Sequence, residues 1–88
     1  MGIQEHLWEF PSEHQLKIMG LAQHPMVDIV TDIVSRHAPD FDRDSIRCRH
    51  SGSGKYVSVT VAVRFTHKEQ VEALYRDLHA CEQVTMSL

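Results

Sequence analysis

The sequence predicts an α+β fold in which two helices cover one face of a four-stranded antiparallel sheet. Three observations carry this. Lys55 to Phe65, KYVSVTVAVRF, alternates strictly: Val57, Val59, Val61, Val63 and Phe65 share one face, and Tyr56, Ser58, Thr60, Ala62 and Arg64 the other. That is the pattern of a half-buried strand, with one face for a packed layer and one for water or a partner. Two other segments repeat their apolar residues at helical spacing instead. The segments also follow one another as strand, helix, strand, strand, helix, strand.

In chain order, Met1 to Glu13 is a lead-in arm carrying Leu7, Trp8 and Phe10. Groups as large and apolar as Trp8 and Phe10 are expected to dock on the domain or on another copy. The domain proper is expected over residues 14–88. Gln15 to Ala22 reads as an interior strand, apolar on both faces, with Leu16, Ile18 and Gly20 on one side and Lys17, Met19 and Leu21 on the other. His24-Pro25 opens a helix, because proline is tolerated in a first helical turn. From Pro25 to about His37, the residues Met26, Ile29, Val30, Ile33 and Val34 form one stripe. Ala38-Pro39 ends the helix, since the residue before proline avoids helical geometry.

Ser45 to His50 reads as a short strand with Ile46 and Cys48 inward and Arg47 and Arg49 outward. Its charges suit a sheet edge. Ser51-Gly-Ser-Gly54 turns the chain into the alternating strand as a hairpin. Thr66-His-Lys-Glu69 has the form of a capping box, in which Thr66 and Glu69 satisfy one another's backbone amides. The helix that follows carries Val71, Leu74, Tyr75 and Leu78 at helical spacing, and Gln83 to Leu88 closes as a strand with Val84, Met86 and Leu88 on one side. Two right-handed crossovers flanking a hairpin make the ferredoxin-like βαββαβ sandwich, with the first and third strands central.

The bulk numbers bound the function. Eighty-eight residues make one domain with one modest core. A net charge of −3 supplies no global attraction for nucleic acid or anionic membrane. Cys48 and Cys81 are too few for a disulfide framework. The start, MGIQEHLWEF, lacks the basic and apolar regions of a signal peptide, and no apolar run approaches the ~20 residues of a membrane span. A cytoplasmic location is expected.

The blocks EFP (Glu9 to Pro11), KIMG (Lys17 to Gly20), IVSRHAPD (Ile33 to Asp40), SGSGKYVSVTV and THKEQVEALYRDL (Thr66 to Leu78) occur in order. In these blocks the chain resembles the YbeD-like family of small bacterial proteins over nearly its whole length. The resemblance implies a ferredoxin-like fold similar to ACT regulatory domains, which bind amino acids or other small effectors where two copies pair. It also brings a suggested link with lipoate metabolism. It points to the first strand-to-helix loop, Gln23, His24, Pro25 and Met26, as the ligand-binding candidate. Pro25 matches the ACT loop, whereas Met26 stands in place of its glycine and the ACT acidic residue is absent.

Other uses of this fold fit less well. A metal chaperone needs two cysteines in the first loop, and an acylphosphatase needs an arginine there. An RNA-binding sheet needs aromatic platforms, where this chain offers Tyr56 and then Ser58, Thr60 and Ala62. The histidines show no zinc-site spacing, and no nucleophile-base pair, paired carboxylates or phosphate loop is visible. We therefore expect no enzyme, no cofactor and no metal, no nucleic-acid or membrane partner, but a regulatory or interaction domain sensing a small effector. The alternative is a protein–protein adaptor with no ligand pocket, acting through its exposed sheet face and basic edge strand. Trp8, Phe10, Met19, Arg47 and Arg49 are the interface candidates, and the apolar groups Met19, Leu21 and Ala62 lead us to expect a homodimer.

Overall fold

The alternating strand is where the structure is anchored. In the computed structural model, which describes residues 10–87, it is β3 (Tyr56–Phe65). Val57, Val59, Val61, Val63 and Phe65 are all buried, and each such side chain contributes roughly 1.5–3 kcal/mol on leaving water. Around it lie β1 (Ser12–Leu21), α1 (Met26–His37), β2 (Arg47–His50), α2 (Lys68–Ala80) and β4 (Val84–Ser87). A single 3₁₀ turn, Arg43–Ser45, precedes β2. The sheet order is β2-β3-β1-β4 with every neighbouring pair antiparallel. Together with the two helices on one face, this is the ferredoxin-like α+β sandwich expected from the order of elements.

Both helices cover the valine face. Met26, Val30, Ile33 and Val34 of α1 and Val71, Leu74 and Leu78 of α2 are buried against Leu16 and Ile18 of β1 and the inward residues of β3. Asp28 stands in the first turn of α1, where the helix dipole favours an anion. At the other end, the Ala38 amide donates to the Val34 carbonyl at 2.8 Å, closing the helix before Pro39. In the hairpin, Gly54 takes a positive φ of 78°, a conformation glycine adopts without strain.

Five expectations are corrected. β1 starts at Ser12, because the ladder to β3 continues through Glu13↔Arg64 and Ser12↔Phe65. Ser12 and Glu13, counted with the arm, therefore lie in the sheet, and Phe10 packs half-buried against the core. β2 is shorter than expected, since Ser45 belongs to the 3₁₀ turn. Cys48 faces the helix layer by its register with Val59, yet it is exposed, because the helices do not reach over the edge strand. The capping box also differs. Gln70, not Glu69, reaches back, its Oε1 accepting from the Thr66 amide at 2.8 Å.

β4 also departs from the expected alternation. Gly20 pairs with Val84 but Met19 pairs with Met86, so Thr85 is an extra residue opposite β1. A bulge of this kind flips the alternation of the strand that carries it. Val84 packs on the core, while Met86 emerges opposite Met19 on the uncovered face, 52 % exposed. The two do not share a side.

Candidate functional site

The face of the sheet away from the helices is built by the outward residues of all four strands. The register sets them in rows. Arg47 lies opposite Thr60, which lies opposite Lys17; Arg49 lies opposite Ser58, which lies opposite Met19 and, across β1, Met86. Directly opposite residues of neighbouring strands sit about 4.5–5.5 Å apart at Cβ, so Lys17, Arg47 and Arg49 surround one small area. Among the described residues, none of the three has a carboxylate within 4.0 Å. Arg64 at the far end of the face stands opposite Glu13.

Within this area, Lys17, Met19, Arg49, Tyr56 and Ser58 line a hollow of about 180 Å³. The Ser58 hydroxyl donates to the Arg49 carbonyl at 3.4 Å, and the Lys55 ammonium lies 5.5 Å from the centre of the Tyr56 ring, within cation–π range. The floor is mixed apolar and hydroxyl, and the walls are cationic. Chemically such a surface can pair carboxylates or other anions and present an apolar footing beside them.

The first loop lies on the other side of the sheet. His24, Pro25, Met26, Val27, Cys48 and His50 border a second hollow of about 200 Å³ between the start of α1 and β2. Of the ligand-binding candidates, His24, Pro25 and Met26 line it, Met26 while only 2 % exposed and packed into the core. Gln23 is not among its walls. Among the described residues, no group of three or more His, Cys, Asp or Glu side chains is placed to hold a metal ion.

A third depression lies between the helices, bordered by Ile29, Asp32, Arg36, Asp77 and Cys81. Its charges are already matched. Arg36 donates to Asp32 at 2.7 Å, a bond that raises the arginine pKa further above its ordinary value, and His37 Nε2 lies 2.6 Å from Asp77 Oδ2. Gln70 adds a clasp, donating from Nε2 to the His37 carbonyl at 2.7 Å.

The interface candidates are thus distributed. Arg47, Arg49 and Met19 come together on the open face, Phe10 packs on the core, and Trp8 lies outside the described residues. Arg43, in the turn before β2, points toward Ser35 of α1, 3.4 Å from its hydroxyl. Lys17 is the residue that sequence reasoning missed. Its outward position on the first strand was readable, but its neighbourhood with Arg47 depends on the register of three strands.

Fold and face define a small two-layer α+β domain with an open, cation-lined sheet. The family described as "Protein of unknown function (DUF493)" matches residues 5–88. The chain belongs to this family of small bacterial proteins, also called UPF0250. It is 39 % identical over 85 residues to the UPF0250 protein NE1487 of Nitrosomonas europaea, covering 97 % of this chain and 98 % of that one. It is 45 % identical over 85 residues to a UPF0250 protein of Erwinia tasmaniensis, covering 96 % and 94 %. The solution structure of HP0495 from H. pylori has the same fold, with a TM-score of 0.68 at 8 % identity over 92 % of this chain and 85 % of that one. Among the described residues, no helix is long and apolar enough to cross a membrane.

Proposed function

We propose that the protein is a non-enzymatic interaction module that docks an acidic protein partner on its open sheet face and basic edge strand. One observation carries this reading: Lys17, Arg47 and Arg49 gather on the uncovered face, with no carboxylate partner among the described residues, in a chain whose net charge is −3. The carboxylates of Asp28, Asp32, Glu69, Glu72 and Asp77 lie on the two helices instead. Charges arranged in this way steer encounter and reject wrong partners. The test is binding to an acidic protein fragment recovered with the wild-type domain and compared with Arg47→Glu plus Arg49→Glu. Binding that weakens at least tenfold supports the reading, since each 1.4 kcal/mol is tenfold; unchanged affinity removes it.

Effector sensing in an ACT-like way is the second reading, supported by the hollow beside His24 and Pro25. A thermal-shift screen against amino acids, short acids, lipoate-related compounds and nucleotides tests it. A ligand at 100 times its Kd adds about 2.7 kcal/mol to the folded state. A saturable shift that His24→Ala abolishes favours this reading, and a flat screen returns the weight to the adaptor. A homodimer is a companion proposal, supported by the exposed Met86 opposite Met19 at the β4 side of the face. A monomeric mass by light scattering at high micromolar concentration counts against it.

A further inference from the structure

We infer that the partner contributes an extended segment of alternating acidic and apolar residues, which adds to the sheet as a strand alongside β2. This rests on the adaptor reading above and specifies the form of the acidic partner.

Ser51 donates its amide to the Tyr56 carbonyl at 2.8 Å, which makes these two a hydrogen-bonded pair. Antiparallel ladders alternate, so Arg49 with Ser58 and Arg47 with Thr60 bond inward. The N–H and C=O groups of Cys48 and His50 therefore point away from β3. Among the described residues, no strand lies beyond β2.

The side chains of this edge differ on its two faces. Arg47 and Arg49 stand on the open face, so residues of an added strand opposite them are best acidic, as opposite charges directly across a sheet stabilise it. On the helix side, Cys48 and His50 border the hollow shared with Pro25 and Val27. Val27 is 37 % exposed, so intervening residues of the added strand are best apolar. A second copy of β2 fits poorly, because an antiparallel β2–β2 pair crowds four guanidinium groups onto one face. The arginines thus guard the edge against self-pairing and select an acidic strand. Recognition is by main-chain hydrogen bonds for affinity and alternate side chains for choice of sequence.

The experiment titrates the isotope-labelled protein with a capped synthetic hexapeptide of alternating glutamate and valine. Amide shifts and hydrogen exchange are read by NMR. Saturable shifts along β2, with exchange at Cys48 and His50 slowed about tenfold or more, are expected, since a paired amide exchanges only on opening. A lysine–valine peptide should fail with the wild type and bind Arg47→Glu plus Arg49→Glu, whose exposed substitutions leave the core intact. Saturable shifts on Lys17 and Thr60, lost on charge reversal but without protection at Cys48 and His50, overturn strand addition and leave the face reading standing. No saturable shift anywhere overturns both. Protection at Cys48 and His50 that grows with protein concentration in the absence of peptide makes a second copy the occupant and overturns the inference.

Discussion

Met26 packs its thioether over Gly20. A Cβ on Gly20 would lie 2.5 Å from the Met26 sulfur and 2.5 Å from the Gln83 carbonyl oxygen. At Gly20, therefore, β1, the start of α1 and the approach to β4 are in close contact, directly beside the bulge that turns Met86 outward. The methionine can yield, but the Gln83 backbone is held by the strand that follows it.

Gly20→Ala should cost about 1–3 kcal/mol, the range of core overpacking. Pairing it with Met26→Ala should not restore stability, since the Gln83 carbonyl still blocks the methyl group and a cavity is added. Urea denaturation of the two variants checks this. A Gly20→Ala midpoint equal to wild type would refute it.

Gln70 joins the Thr66 amide to the His37 carbonyl with one side chain. Gln70→Ala should lose about 1–2 kcal/mol, as two hydrogen bonds near 1 kcal/mol each are removed. Glu69→Ala should stay within about 0.5 kcal/mol, like other surface substitutions. Equilibrium unfolding of the pair distinguishes this arrangement from a Thr66–Glu69 capping box, which predicts the reverse ranking.

His37 and Asp77 tie α1 to α2 at 2.6 Å. A double-mutant cycle with His37→Phe and Asp77→Ala should return a coupling of about 1–2 kcal/mol, as expected for one partly buried hydrogen-bonded pair. By contrast, Arg36→Ala with Asp32→Ala should show coupling of about 0.5 kcal/mol or less, because that pair is exposed. Equal couplings would count against the distinction.

Burial raises the pKa of the Tyr75 phenol above its ordinary value of 10.0. A folded-state pKa above the unfolded one leaves stability intact below pH ~10 and lowers it as the pH rises through the folded value. Thermal unfolding followed from pH 8 to 11.5 should show this loss, and Tyr75→Phe should shed part of it. Identical profiles for the two proteins would remove Tyr75 as a cause.

The candidate site was only half legible. Arg47, Arg49 and Met19 were recognised as outward-facing from alternation alone, since the direction of a strand side chain follows from its neighbours in the chain. That Lys17 joins them was not, because it requires knowing that Thr60 stands between Lys17 and Arg47. By sequence, Met26 belongs both to the helix stripe and to the candidate loop. It is buried against Gly20 as the stripe requires, and it also borders the hollow beside His24 and Pro25.

Periodicity is a local property, and it was enough to determine the valine face of β3, the apolar stripes of α1 and α2, their order, and so the sandwich with β1 and β3 at its centre. The tertiary structure decided what depends on partners distant in the chain. Gln70 rather than Glu69 serves Thr66 because the His37 carbonyl is there to hold the same side chain. Cys48 is exposed because the helix layer ends short of the edge it occupies. Met86 faces outward because a bulge opposite Gly20 shifts β4 by one residue. A shift of one residue turns a strand over, and no pattern within six residues of chain can announce it.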